Sequence, residues 1–133
     1  MVCRAVRFYA RKLKIHPVTY QNLRLHIAFV EPGCKAELEW LDRATKARSF
    51  VMRIRPTMSE ENVLQAAAHE TVHMKQYSSG QLTDMGDKVR FADDLYDFED
   101  DVDSELYWFS PWEIEAYGWE RGLYKIFLAS LKK

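Results

Sequence analysis

Apolar residues recur with two different periods in the first half of the chain. Helical spacing over residues 2–14, with Arg and Lys between the apolar positions, predicts an amphipathic helix; its apolar residues are Val2, Val6, Tyr9 and Leu13. Apolar side chains then recur at every second position in three segments, 23–29, 34–40 and 50–55. This alternation predicts three strands with one buried face. A turn at Glu31-Pro32-Gly33 and a loop at residues 43–47 are short, which favours an antiparallel meander.

The second half is predicted to be mainly helical. Thr57-Met58-Ser59-Glu60 has the spacing of a capping box, and a helical apolar pattern follows it, so we predict a helix over residues 57–79. Residues 81–109 are predicted to form a loop with a short helix, and the aromatic side chains of this segment are expected to anchor it to the fold. Ser110-Pro111-Trp112-Glu113 is typical of a helix start. That helix is predicted to run toward Gly122, with a short apolar continuation to Leu131.

Length and composition indicate one α+β domain over residues 1–133. No apolar run approaches the roughly 20 residues that span a bilayer, so we expect no membrane partner. The first residues are basic but lack the apolar stretch of a secretory signal, and we expect cytoplasmic residence. Cys3 and Cys34 are too few for a disulfide framework and are expected to be free thiols. Oligomeric state is not predicted.

Charge is distributed unevenly along the chain. Residues 1–55 hold 12 Lys and Arg against 4 Asp and Glu, and residues 56–133 hold 7 against 16. The basic half could contact nucleic acid, but its charges are dispersed, which favours attraction between the two halves of one fold. Eight of the carboxylates lie within residues 93–105. This segment lacks the spacing of an EF-hand, so a solvated acidic loop is favoured over a calcium site.

The strongest chemical signal is His69-Glu70-Thr71-Val72-His73, an H-E-x-x-H pentapeptide in the predicted helix. Residues at i and i+4 share one helix face, so the two imidazoles can bind one Zn²⁺. Glu70 then lies beside the metal, where it can take a proton from a zinc-bound water. The pattern predicts a zinc hydrolase in which His69 and His73 are metal ligands and Glu70 is catalytic.

A catalytic zinc needs a third protein ligand. The other two histidines, His16 and His26, precede the motif, and His26 is predicted to be a surface residue. A downstream carboxylate is therefore favoured, and Glu113 and Glu115 are the candidates on an ordered element. They lie roughly 200° apart around a helix, so only one of them can readily face the metal.

The chain resembles gluzincin-type zinc metallopeptidases, which carry H-E-x-x-H on one helix and a zinc-binding Glu on the next. Glu113-Ile114-Glu115-Ala116 is similar to their E-x-x-A pattern, which implies Glu113 as the ligand and Glu115 as the alternative. The element order resembles minimal gluzincins and SprT-like proteases. Gln76 and the run from Pro111 to Ala116 resemble short phage-type metallopeptidase-like proteins. The resemblance implies a zincin-like fold, although Tyr117 stands where the E-x-x-x-D pattern has Asp, so Glu115 or another carboxylate is expected to orient a zinc histidine.

The resemblance implies hydrolysis of a peptide or protein substrate. Gluzincins add a Tyr or His donor for the oxyanion, and Tyr117, Tyr107 and Tyr77 are the candidates. The edge strand that binds extended substrate is predicted to be Phe50–Arg55, directly before the motif helix. Two alternatives stay open. The chain could be a zinc-stabilised binding module for a protein or DNA-associated partner, or a latent enzyme whose cleft is covered by segment 93–105 or the C-terminal tail.

Overall fold

The computed structural model describes residues 1–27, 34–42, 46–97 and 105–132, and gives no side-chain detail for residues 105 and 106. Within these ranges the chain forms five helices and two three-stranded sheets. The helices are α1 (Val2–Lys12), α2 (Pro17–Gln21), α3 (Glu60–Ser78), α4 (Glu105–Phe109) and α5 (Pro111–Ser130). The strands are β1 (Arg24–Ile27), β2 (Ala36–Trp40), β3 (Phe50–Ile54), β4 (Leu82–Asp84), β5 (Lys88–Phe91) and β6 (Asp94–Asp97). The fold class is therefore α+β, as predicted.

Helix α3 is the centre of the fold. It packs against α5, α1 and the first sheet, and its apolar residues join theirs in one buried cluster. The hydroxyl of Ser59 accepts a hydrogen bond from the backbone N–H of Asn62 at 3.2 Å, which caps the helix. The predicted capping box placed this cap at Thr57, two residues too early. Both Thr57 and Ser59 carry a hydroxyl, and the structure uses that of Ser59.

The first sheet is not a meander. Its strand order is β1-β3-β2, with β1 parallel to β3 and β2 antiparallel to it. Phe50, Met52 and Ile54 are fully buried and Val51 nearly so, which explains why β3 takes the central position with both edges paired. His26 lies opposite Arg53 of β3, and it is exposed as predicted. The predicted turn at 31–33 and part of the predicted loop at 43–47 lie outside the described residues.

Residues 82–97 form a second sheet, where a loop was predicted. Strands β4, β5 and β6 pair antiparallel in chain order. Gly86, at φ 93°, allows the tight turn between β4 and β5. The alternation of charged and apolar residues in Lys88–Phe91 was the available signal, and the surrounding acidic residues obscured it. The predicted short helix is present as α4, while residues 98–104 of the acidic segment lie outside the described residues.

Helix α5 begins after Ser110 with Pro111 in its first turn, as predicted, and continues without a break through Gly122 to Ser130. Its buried residues pack into the main core and include Ala116, Leu123 and Phe127. Neither Cys3 nor Cys34 forms a disulfide. No helix within the described residues has the length and apolar character needed to cross a membrane.

Candidate metal centre

Helix α3 presents His69, Glu70 and His73 on a buried surface near its middle. All three residues are less than one-tenth exposed. The imidazole rings of His69 and His73 lie one helical turn apart with their centroids separated by 4.8 Å. Their Nε2 atoms are 3.1 Å apart. Both Nε2 atoms therefore converge on one point, as the i and i+4 spacing predicted.

Helix α5 contributes Glu113 to the same point. The Nε2 atom of His69 is 3.0 Å from Oε1 of Glu113, and the Nε2 atom of His73 is 3.1 Å from Oε2. One ligand atom from each of the three residues lies within 4.8 Å of the others, so the cluster is close enough to bind a metal ion. It is the only such cluster among the described residues, and neither His16 nor His26 belongs to it.

Glu115 occupies a different position from Glu113. Its Oε1 atom accepts a hydrogen bond from Nε2 of Gln76 at 3.0 Å, and Gln76 Nε2 also donates to the backbone carbonyl of Trp112 at 3.0 Å. Glu113 and Glu115 lie on opposite faces of α5, as expected for helix positions two residues apart. Glu115 thus contacts Gln76, which in turn contacts His73. From this position a carboxylate can help to orient a histidine, the role predicted for Glu115 or another carboxylate.

Gln76 determines which nitrogen of His73 carries the proton. Because Gln76 Nε2 donates to two acceptors, the orientation of its amide is set and its Oε1 must accept. This Oε1 lies 2.8 Å from Nδ1 of His73, so Nδ1 carries the hydrogen. A neutral His73 then directs the lone pair of Nε2 at the carboxylate of Glu113. Two lone pairs facing each other at 3.1 Å require a cation between them, either a proton or a metal ion.

Glu120 lies beside the other histidine. Its Oε1 is 3.8 Å from Nδ1 of His69, a buried atom with no hydrogen-bond partner among the described residues. This separation is longer than a hydrogen bond, but it places a carboxylate next to the ring nitrogen that Glu113 does not contact. Sequence reasoning missed Glu120. It follows Glu113 by seven residues, two helical turns, and that spacing on α5 could have identified it.

The pKa values show how strongly the side chains of His69, His73 and Glu113 interact. Burial lowers the pKa of His69, but the interactions with Glu113 and Glu120 outweigh burial and raise it to about 10. The same balance of burial against Glu113 raises the pKa of His73. Burial raises the pKa of Glu113, but its hydrogen bonds to both histidines dominate and lower it to about 2. A metal ion entering this site must therefore displace at least one proton.

A cavity of about 370 Å³ opens beside His69 and Glu70. Burial raises the pKa of Glu70, although the positive charge of the neighbouring histidines opposes it. The cavity wall includes Tyr107 and Trp108 from α4 and Tyr117 from α5. Glu70 therefore combines a protected position with access to any molecule in the cavity.

The three candidate tyrosines differ in their placement. The ring of Tyr117 packs on His69 at a centroid distance of 4.5 Å, and its hydroxyl is 3.5 Å from that of Tyr107. The Tyr107 hydroxyl donates to Oε1 of Glu113 at 3.4 Å. Tyr77 instead stacks on Trp40 in a core cluster away from the cavity. The structure thus brings Tyr117 and Tyr107 to the metal cluster and leaves Tyr77 in the core.

The predicted substrate edge is corrected by the sheet order. Phe50–Arg55 contains β3, which is paired on both sides and cannot accept another strand. The strand beside the cavity is β2, because its first residue, Ala36, and the two preceding residues, Cys34 and Lys35, line the cavity wall. β2 pairs only with β3 in the described sheet, so it is an edge strand, and the cavity that it borders is also lined by His69 and Glu70.

Comparison of the chain with protein-family models, with curated proteins and with solved structures gave no match. The chemistry of the site is argued from its own atoms. Two imidazole nitrogens and one carboxylate, buried together and held by surrounding polar groups, form a donor set suited to a divalent metal ion.

Proposed function

We propose that this protein is a zinc-dependent peptidase in which Glu70 is the general base. The observation that supports the proposal is the convergence of His69, His73 and Glu113, together with a cavity whose wall includes His69 and Glu70. Two histidines and one glutamate, with a fourth position open, is a donor set of catalytic zinc sites. A bound zinc would lower the pKa of its water and polarise the substrate carbonyl.

Glu70 would perform the proton transfers. Its carboxylate would accept the proton of the attacking water and deliver it to the nitrogen of the leaving amine. Burial raises the pKa of Glu70, which makes the carboxylate a better base than an exposed glutamate. Because Glu70 lines the cavity, a substrate bound there would bring the scissile bond within reach of this carboxylate.

Tyr117 would stabilise the oxyanion of the tetrahedral intermediate. Its ring lies against His69, and Tyr117 is part of the cavity wall. Tyr107 is the less suitable donor because its hydroxyl is already engaged with Glu113. A hydroxyl that donates to the developing negative charge strengthens its bond in the transition state, which is the requirement for catalysis.

The substrate would be an extended peptide that adds to β2. An edge strand offers a row of backbone donors and acceptors that bind main chain regardless of sequence. β2 begins at the cavity wall, so a peptide paired with it passes the metal cluster. Trp108 and Tyr117, stacked at 5.6 Å, would contact apolar side chains of that peptide.

The test is hydrolysis of a mixture of unstructured peptides by the zinc-loaded protein, with products identified by mass spectrometry. We expect internal cleavage that stops when a chelator removes the metal and returns when zinc is restored. Binding of zinc without cleavage of any peptide would support the non-enzymatic alternative, a zinc-stabilised binding module. Absence of zinc binding would refute the proposed metal centre as well.

Gln76→Leu is expected to weaken zinc binding by about 10- to 100-fold, the usual effect of removing a group that orients a metal ligand. The change removes the acceptor that holds the Nδ1 hydrogen of His73 and leaves that nitrogen unpaired. Affinity is measured by competition with a chromophoric chelator. Gln21→Leu, at an exposed position at the end of α2, is the matched control and should bind zinc normally. Equal affinities would show that Gln76 does not orient His73.

Zinc affinity is expected to rise with pH. Since the pKa of metal-free His69 is about 10, zinc must displace its proton at neutral pH, and affinity should change about tenfold per pH unit for each proton released.

The stability of the metal-free protein should instead fall as the pH rises. A raised histidine pKa stabilises the fold fully below the ordinary value of 6.5, and this stabilisation is lost as the pH rises through about 10. Chelator competition and thermal unfolding across pH 6 to 10 measure both; a pH-independent affinity would contradict the proton displacement.

A further inference from the structure

The outer face of α5 carries an exposed apolar groove. Ile114, Trp119 and Ile126 are 54%, 53% and 43% exposed, and they border Gly118 and Gly122. In the part of the chain that the structure describes, only α5 residues line this groove. A contiguous apolar strip on the surface of a small protein commonly marks an interaction site.

The two glycines have no packing role within the described protein. A Cβ at Gly118 or at Gly122 would meet no atom within 4 Å. Glycine is unfavourable inside a helix, yet α5 has two glycines, Gly118 and Gly122, one turn apart on its exposed face. Small residues at this spacing let a second helix approach closely, because no side chain separates the two backbones.

The residues around the groove form a pattern that is complementary to itself. Consider a two-fold axis that crosses an antiparallel pair of α5 helices at the level of Glu120. It places each residue of one copy opposite the residue of the other copy that lies equally far from Glu120 in the opposite direction along the sequence. In an antiparallel pair of α5 helices it therefore sets Gly118 of one copy against Gly122 of the other, and Ile114 against Ile126. It also sets Glu115, whose Oε1 stays bonded to Gln76, against Lys125, so opposite charges meet twice across the axis.

We propose that a second copy of this chain occupies the groove, and that the protein is a dimer through antiparallel pairing of its α5 helices. The glycines form the close contact at the axis and the isoleucines cover it on both sides. The Glu115–Lys125 pairs select the antiparallel direction, since a parallel pair would place like charges together. The interface would lie on the exposed face of the helix whose buried face carries Glu113.

Sedimentation equilibrium of the zinc-supplemented full chain tests the dimer. We expect a dimer whose dissociation constant rises at least about tenfold in Gly118→Leu/Gly122→Leu, because the new side chains hold the helices apart. The double variant should keep its fold, since the added side chains point into open space and leucine favours a helix. Lys125→Glu should also weaken the dimer, and this effect should shrink at high salt. A wild-type chain that stays monomeric at roughly 1 mM overturns the proposal, as does a double variant that dimerises normally.

Disulfide trapping tests the direction of pairing. In a Cys3→Ser background, a mixture of Gly118→Cys and Gly122→Cys chains should cross-link to each other under mild oxidation, because the two positions are opposed across the axis. Either variant alone should cross-link far less. Efficient cross-linking of Gly118→Cys with itself would indicate parallel pairing and overturn the antiparallel interface. Thermal unfolding of each variant verifies that its fold is retained.

Discussion

Glu113→Gln is expected to leave the protein without zinc after purification, whereas Glu115→Gln retains close to one zinc per chain. The carboxylate of Glu113 contacts the Nε2 atoms of both histidines, and its pKa of about 2 keeps it ionised at any pH of interest. The amide of glutamine has no negative charge and is a poor ligand for zinc. Metal analysis of the two purified variants measures the difference.

The two variants are matched because both change one oxygen of a glutamate on α5. Glu115 contacts Gln76, so its loss should reduce zinc affinity by no more than about 100-fold. Circular dichroism verifies that both variants are folded. If Glu115→Gln loses zinc while Glu113→Gln keeps it, the two carboxylates have exchanged the roles proposed for them. Zinc retention in both variants would place the metal elsewhere.

Glu70→Gln is expected to bind zinc normally and to lose peptide hydrolysis by roughly 10²- to 10⁴-fold, the usual contribution of general acid–base catalysis. The substitution preserves the size of the side chain and removes its ability to accept a proton. Glu70 is buried but does not belong to the cluster of His69, His73 and Glu113, so the substitution should leave that cluster intact. Zinc content and the initial rate of cleavage are measured on the same preparation.

Glu61→Gln is the control for this substitution. It lies on α3, like Glu70, but is exposed in the first turn of the helix. It should keep both zinc and activity. Equal activity in Glu70→Gln and the wild type would exclude Glu70 as the base, and the proton acceptor would then have to be sought among the other groups at the cavity wall.

The local elements of the fold were largely predictable. Alternation located the three strands of the first sheet, and helical spacing located α1 and α3, because one buried face imposes its period on the sequence. The start signal Ser110-Pro111-Trp112-Glu113 located α5. The pairing of the strands was not predictable in the same way. β3 enters the centre of the sheet because it is the most completely buried of the three strands, and burial depends on helices that are distant in the sequence.

The second sheet shows how a local signal can be lost. Lys88–Phe91 alternates clearly, but β4 and β6 are short and contain aspartates, which are rare in strands. Their pairing is stabilised by Leu82, Val89 and Phe91, which pack against Trp112 at the start of α5. That contact joins the second sheet to Trp112, about 20 residues or more away in the sequence. A periodic pattern within residues 81–97 cannot indicate such a contact.

The sequence alone determined that His69, Glu70 and His73 lie together, because hydrogen bonds between residues four apart set the geometry of any helix. The count of histidines favoured a downstream carboxylate, Glu113 or Glu115, as the third ligand, and helix geometry implied that only one of the two can readily face the metal. Only the tertiary structure separated those two, since the rotation of α5 against α3 depends on the packing of Ala116, Leu123 and Phe127. The same packing brought Glu120 to His69 and Glu115 to Gln76. Ligand spacing within one helix is local geometry, whereas the groups that complete and orient the site come from contacts that form only when the core is packed.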